Sequence, residues 1–499
     1  MQRRDFLKST AAGAAGASLF SRSLNAASDR PNVLFILVDQ MRKPRWTRPG
    51  ITPHIDRLAG QGLTFDNCFI SASPCSPSRA CIMTGTDTTQ NKMYTNCDFV
   101  EGELQPSLDP SIPTFGQVFG KAGYHTPYRG KWHLTRRTDR NDKDPLLDYG
   151  FTGWNPPEAF FGGPPYCGRL FDPMYAGQAC NWLRENAGKQ KPWFLVCSLV
   201  NPHDICAYPR YYPQQKLKPI MHDEPPENWT DDLSGKPSVH REFQQRYNEV
   251  GGNMDVTDAD QWRRYLDFYA YCLNIVDEQI GRVLDALERS GQADNTLVVF
   301  TSDHGEMAGS HRLRAKGNYA YEEVMNVPLI FSWPGKIPQG SKTGAMAASI
   351  DIMPTLAAAA GIGPDIYMPG VDLSPVLHDP SKNSDRSEVL YHVDWESDFT
   401  VGKDKDQHSI YDNPSHVRGV REKHWKYAYY FSPGLDKVEH ELYNLKDDPL
   451  EMKNLANDPG HQKRVKQMHE HMVEWERHNH LEFKNFHPEA EPDWILEDV

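Results

Sequence analysis

A cysteine, a proline and an arginine lie close enough in one short segment to form a chemical site. The segment reads Cys75-Ser76-Pro77-Ser78-Arg79. Ser73-Pro74 before it predicts an extended approach, and Pro77 predicts the first turn of a helix, so Cys75 should lie at a helix N-terminus. Backbone N–H groups there and the Arg79 guanidinium would favour an anion. A buried cysteine in a helix cap is the structural alternative.

Three apolar runs each end in residues that could bind a metal ion or move a proton. The runs cover residues 32–38, 193–200 and 296–302. Each suits a strand buried on both faces of a parallel sheet, and open α/β sheets bind their ligands beyond the carboxyl ends of the strands. The polar residues that follow the runs are Asp39-Gln40, Asn201-Pro202-His203-Asp204 and Asp303-His304-Gly305.

The types of these residues predict a site for one divalent cation. Asp39, Asp303 and a neutral His304 supply oxygen and imidazole ligands, and the amide oxygen of Gln40 is a further candidate. Either aspartate alone would be better explained by a strand-end turn or a helix cap. His203 alone would be better explained as a structural histidine, but its position directly after a buried strand favours a function.

The elements that position these residues predict an α/β fold with a large, mixed, mostly parallel sheet between helices. A helix with an apolar and aromatic stripe is expected at about 262–288. Residues 206–255 lack clear periodicity and predict a long surface insertion that would shape a substrate cleft. Short strands at 389–393, 417–421 and 426–430 and a helix at about 460–478 predict a smaller α+β subdomain. The expected division is a catalytic domain at 28–385 and a C-terminal subdomain at 386–499.

The N-terminal residues predict export. Arg3-Arg4 precede an Ala/Gly-rich stretch at 11–20 and a small-residue site at 24–27, a pattern that resembles a twin-arginine signal peptide. We expect residues 1–27 to be removed and the mature protein to be periplasmic or secreted; a short basic membrane anchor is the alternative. No run is apolar and long enough to span a bilayer, so stable membrane insertion is not expected.

The composition excludes some functions. The formal net charge of −13 argues against nucleic acid as a partner, so an anionic substrate would need positive charge local to its pocket. The nine cysteines contain no Cys-x-x-Cys pair, which argues against a structural zinc site.

Several separated segments together resemble the type I, formylglycine-dependent sulfatases of the alkaline phosphatase superfamily. They are Cys75-x-Pro77-Ser78-Arg79 with Thr84-Gly85, Gly123-Tyr124-His125-Thr126 with Gly130-Lys131-Trp132-His133-Leu134, and Glu441-Leu442-Tyr443-Asn444-Leu445, in the family's order. The resemblance implies an alkaline phosphatase-like fold. It also implies that a formylglycine-generating enzyme oxidises Cys75 to formylglycine (3-oxoalanine), whose hydrate attacks the sulfate ester and forms a covalent sulfate ester intermediate.

The same resemblance implies a role for each site residue. The implied catalytic residues are Cys75, Arg79, Lys131, His133, His203, Asp303 and Lys316, and the implied metal ligands are Asp39, Gln40, Cys75, Asp303 and His304. Asp303 would accept the proton of the attacking hydroxyl. His203, with Lys316, would protonate the departing alcohol, and His133 would deprotonate the second hydroxyl.

Two acidic motifs bear on the identity of the metal ion and on the type of ester that is hydrolysed. The Asp39-Gln40 and Asp303-His304 pairs resemble those of choline sulfatases and phosphonate monoester hydrolases, some of which use manganese or another transition metal. An imidazole and one fewer carboxylate suit softer cations. We predict calcium, with Mn²⁺ or another transition metal as the alternative.

The sequence therefore predicts an exported sulfatase that acts on a sulfated carbohydrate. The alternatives are a phosphonate monoester or phosphodiester hydrolase of the same fold, and a non-catalytic anion-binding protein whose Cys75 stays unmodified. Expected partners are the substrate, the formylglycine-generating enzyme and the twin-arginine export machinery. We expect His125 and His311 to be structural or peripheral. Candidates for contacting the leaving group are Trp395, Glu396, His408 and His416, with solvated surface residues as the alternative for each.

Overall fold

A computed structural model gives the positions of most of the chain. It describes residues 30–43, 50–97, 105, 107–136, 144–155, 158, 167–211, 224–363, 367–394, 413–432, 435 and 437–486. The predicted signal peptide and three candidate leaving-group residues, Trp395, Glu396 and His408, lie outside this part of the chain.

The strands of the described residues form two sheets. They are β1 (Asn32–Asp39), β2 (Leu63–Phe69), β3 (Ala72–Ser73), β4 (Tyr128–Gly130), β5 (Phe194–Pro202), β6 (Thr296–Ser302), β7 (Leu329–Ser332), β8 (Ser341–Ala348), β9 (Glu388–Val393), β10 (His416–Glu422), β11 (Trp425–Phe431) and β12 (Val438–Asn444). The large sheet has the order β4-β5-β1-β6-β7-β2-β8, and the small sheet has the order β12-β11-β10-β9-β3.

The large sheet is mixed but mostly parallel, as the apolar runs predict. Strand β1 pairs in parallel with both β5 and β6, and β4 is parallel to β5. Only β7 runs antiparallel to its two neighbours, β2 and β6, among the strands described in this sheet. The parallel register sets Val38 opposite Ser302 and Asp39 opposite Pro202. The polar residues after these three strands therefore meet at one edge of the sheet.

Helices cover both faces of the large sheet. The helices are α1 (Pro53–Gly60), α2 (Cys75–Thr84), α3 (Thr88–Asn91), α4 (Phe115–Lys121), α5 (Cys167–Glu185), α6 (Ser238–Gly251), α7 (Ala259–Arg289), α8 (Glu322–Met325), α9 (Ile352–Ala359), α10 (Ser374–His378) and α11 (Gln462–Phe486).

Alternation along β1 divides the apolar residues between two cores. Val33, Phe35 and Leu37 join the core beneath α4 and α9, and Leu34, Ile36 and Val38 join the core beneath α5 and α7. Because a strand turns successive side chains to opposite faces, an uninterrupted apolar run can fill both cores. The aromatic stripe of α7 is buried in the second core, as expected for a stripe at helical spacing.

The small sheet and α11 form the predicted C-terminal α+β unit. Leu390, Val420, Tyr427 and Met468 pack together in a third apolar cluster. Strand β12 was not predicted from the sequence. One strand of this sheet comes from far earlier in the chain, because β3 pairs in parallel with β9 and sets Ser73 opposite Val393. The sheet therefore ends beside the segment that leads into Cys75, and the proposed boundary at residue 385 stays a prediction.

The prediction of an irregular surface insertion at 206–255 is wrong for its second half. Helix α6 lies there, and its residues Val239, Phe243 and Tyr247 are buried in the first core. These apolar residues recur every four positions, so they form a narrow stripe on one face of the helix. Charged and amide residues between them hide the period in the sequence.

The structure also addresses crosslinks and membrane insertion. No disulfide joins any of the nine cysteines, all of which are described. Among the described residues, no helix has both the length and the apolar character needed to cross a membrane.

We predict that Gly130→Ala destabilises the fold by at least about 3 kcal/mol. Gly130 has a φ of +108°, and a Cβ built there would lie 1.8 Å from the carbonyl oxygen of Ser198 on β5. The measurement is the free energy of unfolding in denaturant. The control is Gly60→Ala in α1, where no atom lies within 4 Å of the added carbon and a change of at most about 1 kcal/mol is expected. Equal effects of the two substitutions would contradict the prediction.

Candidate active site

Cys75 is the first residue of α2, and every side chain of that helix is buried. Its Sγ lies 3.1 Å from Nε2 of His304 and 3.7 Å from Oδ1 of Asp39. The hydroxyl of Ser78 donates to the carbonyl oxygen of Asp303, which ties the first turn of α2 to the end of β6. The expectation that Cys75 lies at a helix N-terminus is confirmed, with Pro77 at the third helical position.

Two buried cations hold the two aspartates at the ends of β1 and β6. Arg79 donates from Nε to Oδ2 of Asp303 at 2.8 Å and from Nη2 to Oδ2 of Asp39 at 3.1 Å. Lys131 Nζ donates to the same oxygen of Asp39 at 2.6 Å. The third guanidinium nitrogen, Nη1, donates to the hydroxyl of Ser198 at 2.9 Å. In both aspartates, the Oδ2 atom therefore contacts a positively charged side chain.

The ion pairs decide the protonation of these groups. Burial alone would raise the pKa of Asp39, but Lys131, His203 and Arg79 hold that pKa well below its usual range. Burial likewise opposes the charged form of Arg79, yet Asp303 and Asp39 raise its pKa. Asp39 and Arg79 are therefore both charged, although neither side chain contacts solvent.

The remaining oxygens fit a metal ion. Ligand atoms of Asp39, Cys75, Asp303 and His304 all lie within 4.8 Å of one another. Nε2 of His304 is 3.6 Å from Oδ1 of Asp39 and 3.8 Å from Oδ1 of Asp303. Nδ1 of His304 lies 2.9 Å from the carbonyl oxygen of Gly305, which can only accept, so the Nδ1 atom carries the proton and Nε2 presents its lone pair to the group. Burial lowers the pKa of His304, as a neutral ligand requires.

Gln40 adjoins this group, and its side chain contacts two further charged residues. Its backbone N–H donates to Oδ1 of Asp303 at 3.0 Å. Its side-chain oxygen accepts from Nζ of Lys316 at 2.6 Å, and its Nε2 donates to Oε2 of Glu306 at 2.5 Å. Gln40 and Lys316, both predicted site residues, are thus joined to each other directly.

Two of the predicted histidines lie on loops at the same edge of the sheet. His203 begins a 3₁₀ turn directly after β5, and it is buried. Burial and the charge of Lys316 lower the pKa of His203 well below its usual range. His133 follows β4; its carbonyl oxygen accepts from the hydroxyl of Ser76, and its N–H donates to Oε1 of Glu158 at 2.5 Å.

The other histidines singled out in the sequence have different surroundings. His311 is buried, with Nδ1 2.7 Å from Oδ2 of Asp231, and His416 lies 2.7 Å from Oδ1 of Asp394. His125 is exposed. Sequence analysis missed three residues of the site. Ser198 accepts a hydrogen bond from Arg79, Glu158 accepts one from the backbone of His133, and Glu306 accepts one from Gln40. Each is a common residue whose role depends on its partner, so its type alone gave no signal.

Comparison with known proteins identifies the family. A family model described as "Sulfatase" matches residues 31–362. The chain belongs to the sulfatase family. A second model, "N-sulphoglucosamine sulphohydrolase, C-terminal", matches residues 309–478 of this sulfatase, and a model of the twin-arginine translocation signal sequence matches residues 1–20. The protein is thus an exported sulfuric ester hydrolase, and its family generally uses a metal ion and formylglycine.

Individual relatives agree with this assignment. The sulfatase is 26% identical to an N-acetylglucosamine-6-O-sulfatase of Bacteroides thetaiotaomicron, over 88% of this chain and 85% of the relative. It is 28% identical to a choline-sulfatase of Rhizobium meliloti, over 86% and 83%. The solved structure of a phosphonate monoester hydrolase of Agrobacterium radiobacter has the same fold, with a TM-score of 0.70, 23% identity and coverage of 90% and 96%. The predicted family and fold are confirmed.

We predict that Arg79→Lys destabilises the metal-free, unconverted sulfatase by about 3 kcal/mol. A lysine carries one point charge and cannot contact both aspartates as the guanidinium does, so one buried carboxylate loses its partner. The measurement is the unfolding free energy in denaturant. Arg57→Lys is the control, because Arg57 forms an ion pair of 2.7 Å with Asp285 in which the side chains are 35% and 38% exposed. A change within about 0.5 kcal/mol is expected there, and losses of the same size in both variants would refute the argument.

Proposed function

We propose that this sulfatase carries formylglycine at position 75 and hydrolyses sulfate esters of a carbohydrate outside the cytoplasm. The observation that carries the proposal is the buried group of Asp39, Cys75, Asp303 and His304 beside the N-terminus of α2. A thiol there would be a soft ligand among hard carboxylate oxygens. A hydrated aldehyde would instead supply an oxygen ligand and a hydroxyl nucleophile.

Charge balance explains why such a site would select an anionic ester. Arg79, Lys131 and Lys316 give three positive charges, and Asp39, Asp303 and Glu306 give three negative charges, all buried. These charges cancel, so a divalent cation would leave the site net positive within a chain of net charge −13. The protein's own groups would then attract a sulfate group only when the metal is bound.

The positions of the charged residues support their proposed roles on the nucleophile side. Arg79 and Lys131 flank Asp39, so both would lie against the sulfate oxygens as an electrostatic clamp. Asp303 would accept the proton of the attacking hydroxyl, because it lies within the same ligand group as position 75. His133 follows Lys131 on the loop that bonds to Ser76, so its ring would serve the second hydroxyl.

His203 and Lys316 would serve the departing oxygen. Burial and the charge of Lys316 lower the pKa of His203, so the protonated imidazole is disfavoured when no substrate is bound. A bound sulfate ester brings negative charge, which favours the protonated imidazole. The histidine would then protonate the leaving alcohol while Lys316 stabilises the charge that develops on it.

Two further parts of the proposal concern the sugar and the metal. The carbohydrate assignment is supported by the relative that is named an N-acetylglucosamine-6-O-sulfatase, by the match to the N-sulphoglucosamine sulphohydrolase C-terminal model and by the export signal. We propose Ca²⁺ as the metal because two carboxylate oxygens contribute hard ligands. The single imidazole makes Mn²⁺ the alternative.

We expect the enzyme, co-expressed with a formylglycine-generating enzyme, to release sulfate from sulfated monosaccharides and oligosaccharides. Cys75→Ala is the control and should release none, because no nucleophile is formed. Free sulfate is measured across a glycan panel, with an aryl phosphonate monoester in parallel. The mass of the peptide around position 75 confirms conversion in the wild type. Conversion without sulfate release would contradict the proposal, and turnover of the phosphonate alone would identify the alternative hydrolase.

We also predict that His304→Ala weakens metal binding at least about 100-fold, because a ligand and its oriented lone pair are lost. His471→Ala is the matched control. His471 belongs to a second grouping with Glu388 and Glu422 that lies at the surface. Metal per chain is measured after dialysis against a chelator and return of Ca²⁺ or Mn²⁺. Equal metal loss in both variants would contradict the assignment. Preferential rebinding of Mn²⁺ by the wild type would identify manganese, and not calcium, as the metal.

A further inference from the structure

Glu451 is a buried glutamate that follows the C-terminal motif at 441–445 and has no part in the site described above. Its backbone has a φ of +57°, in the left-handed region that is unfavourable for a residue with a side chain. An unfavourable backbone conformation persists only where other contacts hold the residue in place. The contacts of the Glu451 carboxylate therefore stabilise a conformation that the residue would otherwise avoid.

These contacts join the C-terminal unit to helix α8. Oε2 of Glu451 accepts from the backbone N–H of Glu322, the first residue of α8, at 2.9 Å, and its Oε1 forms an ion pair with Lys426 on β11. The side chain of Glu322 accepts from Nε and Nη2 of Arg421 on β10, at 2.8 Å and 3.2 Å. All four side chains are buried. Two strands of the small sheet and the turn after β12 thus hold the start of α8.

Helix α8 in turn lies directly against the loop that follows β6. The carbonyl oxygens of Glu323 and Val324 accept from the backbone N–H groups of Glu306 at 3.2 Å and Gly305 at 2.9 Å. A Cβ built on Gly305 would lie 1.9 Å from the carbonyl oxygen of Glu323, so only a glycine permits this close approach of the two backbones. The position of α8 therefore determines the position of the loop.

Gly305 connects α8 to the candidate metal ligand His304. Its N–H donates to Val324, and its carbonyl oxygen lies 2.9 Å from Nδ1 of His304. A bond from the second ring nitrogen fixes the tautomer and the orientation of a ligating imidazole. Because one residue makes both bonds, a shift of α8 would move the acceptor that orients the ring.

We propose that Glu451 is a positioning residue for the metal ion, because it fixes α8 and thereby the imidazole of His304. The C-terminal unit would then contribute to metal binding although it supplies none of the grouped ligand atoms. Loss of the Glu451 carboxylate should weaken metal binding by the folded protein, in addition to any effect on stability. This inference rests on the proposed function, in which His304 is a metal ligand.

The test measures metal affinity and stability separately, in full-length enzyme that is co-expressed with a formylglycine-generating enzyme and then stripped of metal. Glu451→Ala removes the acceptor of the Glu322 N–H, so we expect the Kd for Ca²⁺ and Mn²⁺ to rise about tenfold. Free Mn²⁺ is measured by electron paramagnetic resonance, and Ca²⁺ by competition with a chelating dye. Titrations at about pH 8 keep the carboxylate ionised, because burial raises the pKa of Glu451 to about 7. Stability is measured by denaturant unfolding of the metal-free protein.

A double substitution, Glu451→Gln/Lys426→Met, provides the rescue. The amide oxygen at 451 can accept from the Glu322 N–H, and one positive and one negative charge are removed together. We expect the Kd to return to within about threefold of the wild-type value. In Glu451→Gln alone, the NH₂ group opposes either the ammonium of Lys426 or the N–H of Glu322. That single variant should lose affinity as Glu451→Ala does, and it replaces Glu451→Ala if the latter does not fold.

Met468→Ala is the matched control. Met468 of α11 is buried against Tyr427 of β11, and successive side chains alternate along a strand, so it packs on the face of the small sheet opposite to Lys426. Its loss should lower the free energy of unfolding but change the metal Kd less than about twofold. The same pattern in Glu451→Ala, or no recovery in the double variant, would overturn the inference. Absence of metal binding in the converted wild type would instead refute the proposed metal site.

Discussion

The contacts of Arg79 with Asp39 and Asp303 determine the arrangement of the rest of the site. Two buried carboxylates at neighbouring strand ends repel each other, and the planar guanidinium satisfies both with two separate N–H groups. Arg79 and Cys75 are four residues apart on α2, so they lie on the same face of the helix. The ion pairs that hold Arg79 therefore also fix Cys75 beside the carboxylates. A lysine would keep the charge but lose this geometric link.

The parallel sheet brings those two carboxylates together. Strand β1 lies between β5 and β6, and its register with β6 makes Asp39 and Asp303 neighbours although 264 residues separate them. Strand β4 joins the same edge through the pairing of Gly130 with Ser198, and this pairing directs Lys131 onto Asp39. Apolar burial on both faces of β1 stabilises the register. The stability of the core and the geometry of the site thus depend on the same strand pairings.

The sequence predicted this convergence because its signals are local. An apolar run that ends in a polar pair identifies a buried strand and the group at its end, and Pro77 identifies the start of α2. The direction of the Gln40 side chain could not be predicted in the same way. Its residue type suits a metal ligand, a lysine acceptor or a carboxylate donor, and the contacts with Lys316 and Glu306 depend on residues far away in the sequence. Helix α6 was missed because three apolar positions among many polar ones give a weak period.

The charge of Glu306 balances the buried cations of the site. Without its charge, the three positive charges of Arg79, Lys131 and Lys316 would exceed the two negative charges of Asp39 and Asp303. The site would then attract small anions from outside the cytoplasm even without a metal ion. With its charge, the cluster is neutral, and a divalent cation would make it positive. Affinity for an anionic ester would therefore depend on the metal and not on the protein's cations alone. A neutral cluster is also less costly to bury than one with an unpaired charge, which explains how three cations can be buried in one site.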